Sequence, residues 1–301
     1  MFCELLFSYR LFCEYYISMD TPILEKNLVQ IYNGKFRPVQ KSARYGKVSK
    51  VIVLDLDETL GEFSSMVLLW KIAKLQKDNI ATFTQILDHF PEFLRCGIMT
   101  ILEYLWNKKT RNKCAHIYLY TNNQYSPDFP TMITQYFSEK IGPTLFDTVI
   151  CAFKVGDHII EPLRTSHRKS HGDFIQCTLL PKSTEICFVD DAYHNKMNHD
   201  KIYYIQPAPY THSLSADAIA ERAHTLLPEY FPDQPGLANL LRLREKENTA
   251  PYNYELHSKV SQKIMYYIKE FFYLTTLRQK TKKFQKKTTR VTRKQSTTPS
   301  E

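Results

Sequence analysis

The stretch Val51-Ile-Val-Leu-Asp-Leu-Asp-Glu-Thr-Leu60 decides the fold. Val51 to Leu54 is short, continuous and mostly β-branched, the composition of a strand buried on both faces. Such strands belong to parallel α/β sheets, which bind ligands beyond the carboxyl ends of their strands. Asp55 and Asp57 stand at that end. In extended chain, residues i and i+2 share a side, so both carboxylates face one way and Leu56 the other. Like charges this close call for a divalent cation or for a proton that one holds and the other lacks. An acidic turn or helix cap would explain the carboxylates alone, but not the buried strand before them.

Two further apolar runs end in polar side chains. Ala115-His-Ile-Tyr-Leu-Tyr-Thr-Asn-Asn-Gln124 brings Thr121 and Asn122 to a strand end. If that strand neighbours the first, its hydroxyl, amide and backbone N–H groups can hold anionic oxygens beside Asp55. Taken alone, Thr-Asn-Asn is also ordinary turn chemistry. Glu185-Ile-Cys-Phe-Val-Asp-Asp-Ala-Tyr-His194 ends in Asp190 and Asp191. Two acidic strand ends with a hydroxyl-bearing one between them in sequence predict a convergent acidic site.

The rest of the chain is read around these three ends. With 301 residues, 43% hydrophobic and 24% charged, it has ample material for a core and the composition of a soluble globular protein. Seven cysteines (Cys3, Cys13, Cys96, Cys114, Cys151, Cys177 and Cys187) form no zinc-ligand spacing. Several lie in apolar runs, which predicts a reducing, intracellular setting. Arg278 to Lys294 holds nine Lys and Arg and no acid, so with Glu301 the tail carries +8 of the net charge of +9. The body is electrically balanced and the tail is basic. That tail, 278–301, is low in complexity, predicts disorder, and is a candidate for nucleic-acid binding, nuclear import, a membrane-surface contact or plain solubilising charge.

Met1 to Ser18 is too short and too charged to span a bilayer and lacks a signal peptide's layout. It reads either as an amphipathic helix or as sequence upstream of a true start at Met19. Residues 1–47 are then an N-terminal extension, with a basic linker from Lys35 to Lys50. Roughly fifty-five residues separate the first two strand ends, more than an ordinary α/β connection needs, so a small helical insertion at about 61–114 is expected. Its pieces are a loop at Gly61–Ser65 and helices at Met66–Gln76, Phe83–Phe90 and Pro91–Lys109. Further along come a helix at Asp128–Phe137, a strand at Phe146–Phe153 and a polar loop from Lys154 to His171. A helix to Leu179 begins at Asp173, and one more strand spans Lys201–Ile205. The segment 213–277 is a helical extension, with helices at Ser215–Leu227, Leu237–Leu243 and Leu256–Leu277.

The ordered set Asp55-Leu-Asp-Glu-Thr-Leu60, Leu119-Tyr-Thr121, a later Lys and Val189-Asp-Asp191 resembles the haloacid dehalogenase (HAD) superfamily of phosphotransferases over residues 48 to about 207. Within it, Asp-Leu-Asp-Glu-Thr-Leu is similar to the RNA polymerase carboxy-terminal-domain phosphatases, also called the NLI-interacting-factor family. Glu92-Phe-Leu-Arg-Cys-Gly-Ile98 is similar to their Arg-Pro-Gly turn, with Cys96 in place of proline. Thr-Asn-Asn and Asp-Asp replace the family's usual Thr-Ala-Ser and Asp-Asn. In texture the chain is similar to members encoded by large DNA viruses.

The resemblance implies an α/β fold, a HAD-like Rossmannoid parallel sheet flanked by helices over 48–212, and phosphoryl transfer through an aspartyl-phosphate. It implies Asp55 as nucleophile and Asp57 as general acid and base. Thr121 and a Lys would hold the phosphoryl group, with Thr59 and Asn122 near the substrate. Lys169 is the choice for the cation because it precedes the helix leading to Asp190; Arg164, Arg168 and Lys154 are rivals. Mg²⁺ would sit among Asp55, the backbone carbonyl of Asp57 and Asp190, with Asp191 as a ligand or as support. The substrate implied is a phosphoserine or phosphothreonine protein. A nucleotide or nucleic-acid-terminal phosphate is the alternative, and a catalytically silent binding module is another.

Overall fold

The computed structural model describes residues 28–39, 48–76, 80–243 and 253–276. The N-terminal helix, the Met19 start and the basic tail read from the sequence lie outside them. The strands are β1 (Val29–Tyr32), β2 (Arg37–Pro38), β3 (Lys50–Leu54), β4 (His116–Tyr120) and β5 (Thr148–Ile150), then β6 (Lys154–Val155), β7 (His158–Ile159), β8 (Glu185–Val189), β9 (Ile202–Pro207) and β10 (Leu274–Thr275). The helices are α1 (Ser64–Gln76), α2 (Ile80–His89), α3 (Ile98–Thr110) and α4 (Phe129–Ile141), followed by α5 (His171–Thr178), α6 (Ala216–Leu226), α7 (Gln234–Arg242) and α8 (Tyr254–Phe271).

The main sheet runs β1-β9-β8-β3-β4-β5, parallel throughout except for β1, which pairs antiparallel with β9 at the edge. From β3 the chain steps outward to β4 and β5, then returns to lay β8 and β9 on the other side. The reversal falls between β3 and β8, which is where a doubly wound sheet opens a crevice at its carboxyl edge. The β-branched run therefore forms the middle of the sheet, as its composition predicts.

Alternation sorts the strand residues into two layers. Ile52, Leu54, Ile117, Leu119, Cys187, Val189, Tyr203 and Ile205 join the larger core with α1 to α4 and α6 to α8. Val51, Val53, Tyr118, Tyr120, Ile186, Phe188 and Tyr204 face a smaller core closed by Phe174 of α5. Both faces of the sheet are covered, so the fold is α/β with a mostly parallel central sheet flanked by helices.

Between β3 and β4 the chain forms α1, α2, a single 3₁₀ turn at Pro91–Phe93 and α3. These helices share the main core rather than forming one of their own. Trp70, Phe83 and Phe63 pack edge-on or tilted against Phe129 at the start of α4, with ring centroids 5.8–6.5 Å apart. The expected continuous helix over Pro91–Lys109 is broken. Leu94 is extended, bridging to Gly61, and Gly97 takes a left-handed φ of +77°, so α3 starts only at Ile98.

Two other readings change. The Lys35–Lys50 linker contains β2, which pairs with β10. The helix drawn from Leu256 to Leu277 ends at Phe271, where Lys50 Nζ donates to the carbonyls of Phe271 (3.0 Å) and Leu274 (2.6 Å). The Phe271 carbonyl is one a helix end leaves without a partner, and Leu274 lies in β10. Lys50 also pairs with the buried Glu185 at 2.8 Å, and Glu185 accepts from Thr275 and Thr276. The amino edge of the sheet is thus pinned to the C-terminal helix, far from the acidic strand ends.

Candidate active site

The register fixes where the acids fall. Leu54 pairs with Leu119 on one side and Val189 on the other, so Asp55 and Asp190 are each the first residue past adjacent strands. Their backbones extend the ladder by one bond each: Asp55 N–H donates to Val189 O at 2.9 Å and Asp190 N–H to Ile205 O at 3.1 Å. Thr121 N–H does the same to Ile150 O at 3.0 Å. Alternation then turns Asp55 and Asp190 to the face that α5 covers.

Lys169 arrives from that face. It immediately precedes Ser170, the N-cap of α5, whose hydroxyl accepts from Asp173 N–H. Ser170 N–H donates to Tyr120 Oη at 3.2 Å, tying this turn to β4. The Lys169 ammonium donates to Asp55 Oδ1 and, at 2.6 Å, to Asp190 Oδ2. It is 2% exposed, so both carboxylates bind a fully desolvated cation. His194 Nε2 lies 3.2 Å from the same Asp190 oxygen.

The other cations read as rivals do different work. Arg164 is buried, and its guanidinium holds the carbonyls of Thr121 (2.9 Å), Cys151 (2.7 Å) and His167 (3.0 Å). It also donates to Asn122 Oδ1 at 2.7 Å, fixing that amide. Arg168 is exposed. Lys154 lies over the Phe153 ring in the small hairpin β6–β7, which replaces part of the expected Lys154–His171 loop.

Thr59 and Asp191 are reciprocally bonded: Thr59 Oγ1 donates to Asp191 Oδ1 at 2.8 Å and accepts from Asp191 N–H at 3.0 Å. Asp57 is gripped by a residue that the sequence reading passed over. Asn123 Nδ2 donates to both Asp57 oxygens at 3.0 Å. The i, i+2 rule that put Asp55 and Asp57 on one side puts Thr121 and Asn123 together as well, and applying it at this strand end would have found Asn123.

Arg95 also escaped notice as a site residue. Buried beneath the loop after Asp57, it donates to Thr59 O (2.6 Å), Glu58 O and Ala208 O (2.9 Å). It supports a turn in which Glu58 takes a φ of +57°, a conformation non-glycine residues seldom adopt. Gly61 closes that turn: a Cβ there would lie 2.3 Å from Phe93 O.

No protein-family model matches the chain, and no curated protein or solved structure does.

Electrostatics follow from burial and crowding. Burial, with the neighbouring acids, pushes Asp55 well above the ordinary carboxylate range against the pull of Lys169. Burial raises Asp57 to about 6, with Asn123 working the other way. Burial and Asp190 raise Asp191 to about 6. Asp190 is held below its usual range despite burial, because Lys169 and His194 both face it. Lys169 is raised to about 12, since Asp190 and Asp55 outweigh the desolvation of its ammonium.

Four carboxylates against one ammonium leave negative charge that protons or a cation must offset. Asp55, Asp190 and Asp191 each offer one oxygen, and these atoms lie within 4.8 Å of one another. An all-carboxylate set suits a hard divalent ion, whose opposite oxygens stand about 4.2 Å apart for Mg²⁺ and about 5 Å for Ca²⁺. The donor chemistry and spacing can therefore hold a metal. Among the described residues, no helix is long and apolar enough to cross a membrane.

Proposed function

We propose that the chain is a Mg²⁺-dependent phosphatase of the haloacid dehalogenase type, acting through a phosphoaspartyl intermediate on a phosphoserine or phosphothreonine protein. One observation carries this reading: Lys169 and Asp190 flank Asp55 at the switch point of the sheet. A nucleophilic carboxylate beside an ammonium and a second carboxylate has the charge pattern needed to accept a phosphoryl group.

Asp55 attacks phosphorus in line with the leaving oxygen, forming an Oδ–P bond as the ester P–O bond breaks. Asp57 gives its proton to that oxygen. Water then attacks the phosphorus of phospho-Asp55, Asp57 takes the water's proton, and inorganic phosphate leaves with Asp55 restored. A carboxyl group raised to about 6 is suited to both roles near neutral pH. Thr121 Oγ1 and Lys169 Nζ hold phosphoryl oxygens. Asn122, its Oδ1 already engaged by Arg164, presents its NH₂ as a further donor. Bound Mg²⁺, held by Asp55, Asp190 and the Asp57 carbonyl with Asp191 as ligand or support, would offset the repulsion between carboxylate and phosphate. The phosphoprotein substrate is supported by the Asp-Leu-Asp-Glu-Thr-Leu resemblance.

The test is turnover of an aryl phosphate with and without Mg²⁺. Phosphoserine and phosphothreonine peptides are then compared with nucleotides and terminally phosphorylated oligonucleotides at equal enzyme concentration. Preference for peptides is expected. Preference for nucleotides would move the substrate class, and no Mg²⁺-stimulated turnover on any of them would make the fold a binding module.

A further inference from the structure

We infer that Asn123 is the positioning residue of the proposed phosphatase, orienting the Asp57 carboxyl for proton transfer to the leaving oxygen. This rests on the reading of Asp57 as general acid and adds the residue that aims it. A carboxylate has about four lone-pair directions on its two oxygens. Asn123 Nδ2 reaches both oxygens at 3.0 Å and so fixes the plane of the group, leaving the remaining directions for a proton in flight.

Asn123 is itself buried and held by two further hydrogen bonds. It is 6% exposed, its Oδ1 accepts from Tyr125 N–H at 3.0 Å, and its own N–H donates to Thr121 Oγ1 at 2.9 Å. The last bond occupies an acceptor site on the Thr121 hydroxyl and leaves the hydroxyl proton to be given to a phosphoryl oxygen. One residue therefore aligns both partners of the phosphate ester. Its backbone aims the group that grips phosphoryl oxygen, and its side chain aims the group that protonates the leaving oxygen.

This division makes the role separable. Asn123→Ala keeps the N–H to Thr121 and removes the hold on Asp57 together with the bond from Tyr125 N–H, which Asn123→Asp keeps. General-acid help matters for a poor leaving group such as an alkoxide, and little for an acidic phenol. The parameter to compare is kcat/KM, which reports steps up to formation of phospho-Asp55 and excludes its hydrolysis.

The experiment measures kcat/KM for a series of aryl and alkyl phosphates in wild type, Asn123→Ala and Asn123→Asp. The Asp variant is nearly isosteric and still accepts from Tyr125 N–H, so it carries the test if Asn123→Ala does not fold. Both variants should lose about 10- to 100-fold on alkyl phosphates and far less on phosphates of acidic phenols, steepening the dependence on leaving-group pKa. An equal loss across the series would make Asn123 merely structural and overturn the inference while leaving the phosphatase reading intact. A wild type without turnover on any ester in the series would overturn both.

Discussion

The Lys169 ammonium donates to Asp190 Oδ2 at 2.6 Å from the turn just before α5, and α5 is the helix whose chain leads into the Asp190 strand. One crossover therefore delivers the cation and then the carboxylate it faces. Removing the cation leaves Asp55 and Asp190 buried without it. Breaking such a buried pair costs about 3–5 kcal/mol. Lys169→Met should lower the unfolding free energy by that order without Mg²⁺, recover part of it when Mg²⁺ is added, and reduce kcat at least about 100-fold. An unchanged kcat would pass the role to one of the arginines.

Asp55→Asn removes one of the crowded buried carboxylates while keeping its shape. The fold should persist with an unaltered far-ultraviolet dichroism spectrum. Mg²⁺-dependent hydrolysis should vanish, because an amide oxygen is a poor nucleophile. Mg²⁺ should also stabilise this variant less than the wild type, since one ligand has lost its charge. Substantial turnover in the variant would remove Asp55 as nucleophile.

The pH dependence has a definite sign. Asp57 and Asp191 titrate at about 6 in the fold against about 4 when unfolded, so the native state binds these protons more tightly. Their contribution is fully present below about pH 4 and is lost as pH rises through about 6, at most roughly 3 kcal/mol for each. Without a divalent ion, melting temperature should fall between about pH 4 and pH 7. Saturating Mg²⁺ should reduce the Asp191 part of that fall, because the ion replaces the proton on a carboxylate of the Asp55, Asp190 and Asp191 cluster. Superimposable profiles with and without Mg²⁺ would contradict the metal site.

Gly61→Ala tests the turn beneath Asp57. The added Cβ meets Phe93 O at 2.3 Å and Phe63 Cζ at 2.6 Å. Gly61 also bridges to Asp57 and accepts from Glu58 N–H at 2.7 Å. Overpacking of this kind costs about 1–3 kcal/mol, which urea denaturation should register. Turnover should fall with it, because the displaced segment carries Asp57. A variant with wild-type stability would mean that the turn yields freely.

Much of this site was legible locally. Asp55, Thr121 and Asp190 each follow an apolar β-run directly, so the chain itself marks three strand ends. The i, i+2 rule then sets Asp57 beside Asp55. Arg95 and His194 carried no such mark. Arg95 acts through three backbone carbonyls drawn from Glu58, Thr59 and Ala208, and the distance between those segments along the chain hides the relationship. Helix ends misread for a similar reason. Leu94 is drawn into an extended bridge to Gly61, and Phe271 ends α8 where Lys50 takes its carbonyl.

By itself the sequence determined that buried strands end in acids and a hydroxyl, because composition and alternation act over a few neighbouring residues. Only the tertiary structure decided that β3 and β8 lie side by side, that Lys169 rather than Arg164 fills the gap between their carboxylates, and that Asn123 holds Asp57. Those choices depend on which strands pair and on which groups burial leaves without water. They join segments as far apart as Asp55 and Asp190, and no local pattern encodes that contact.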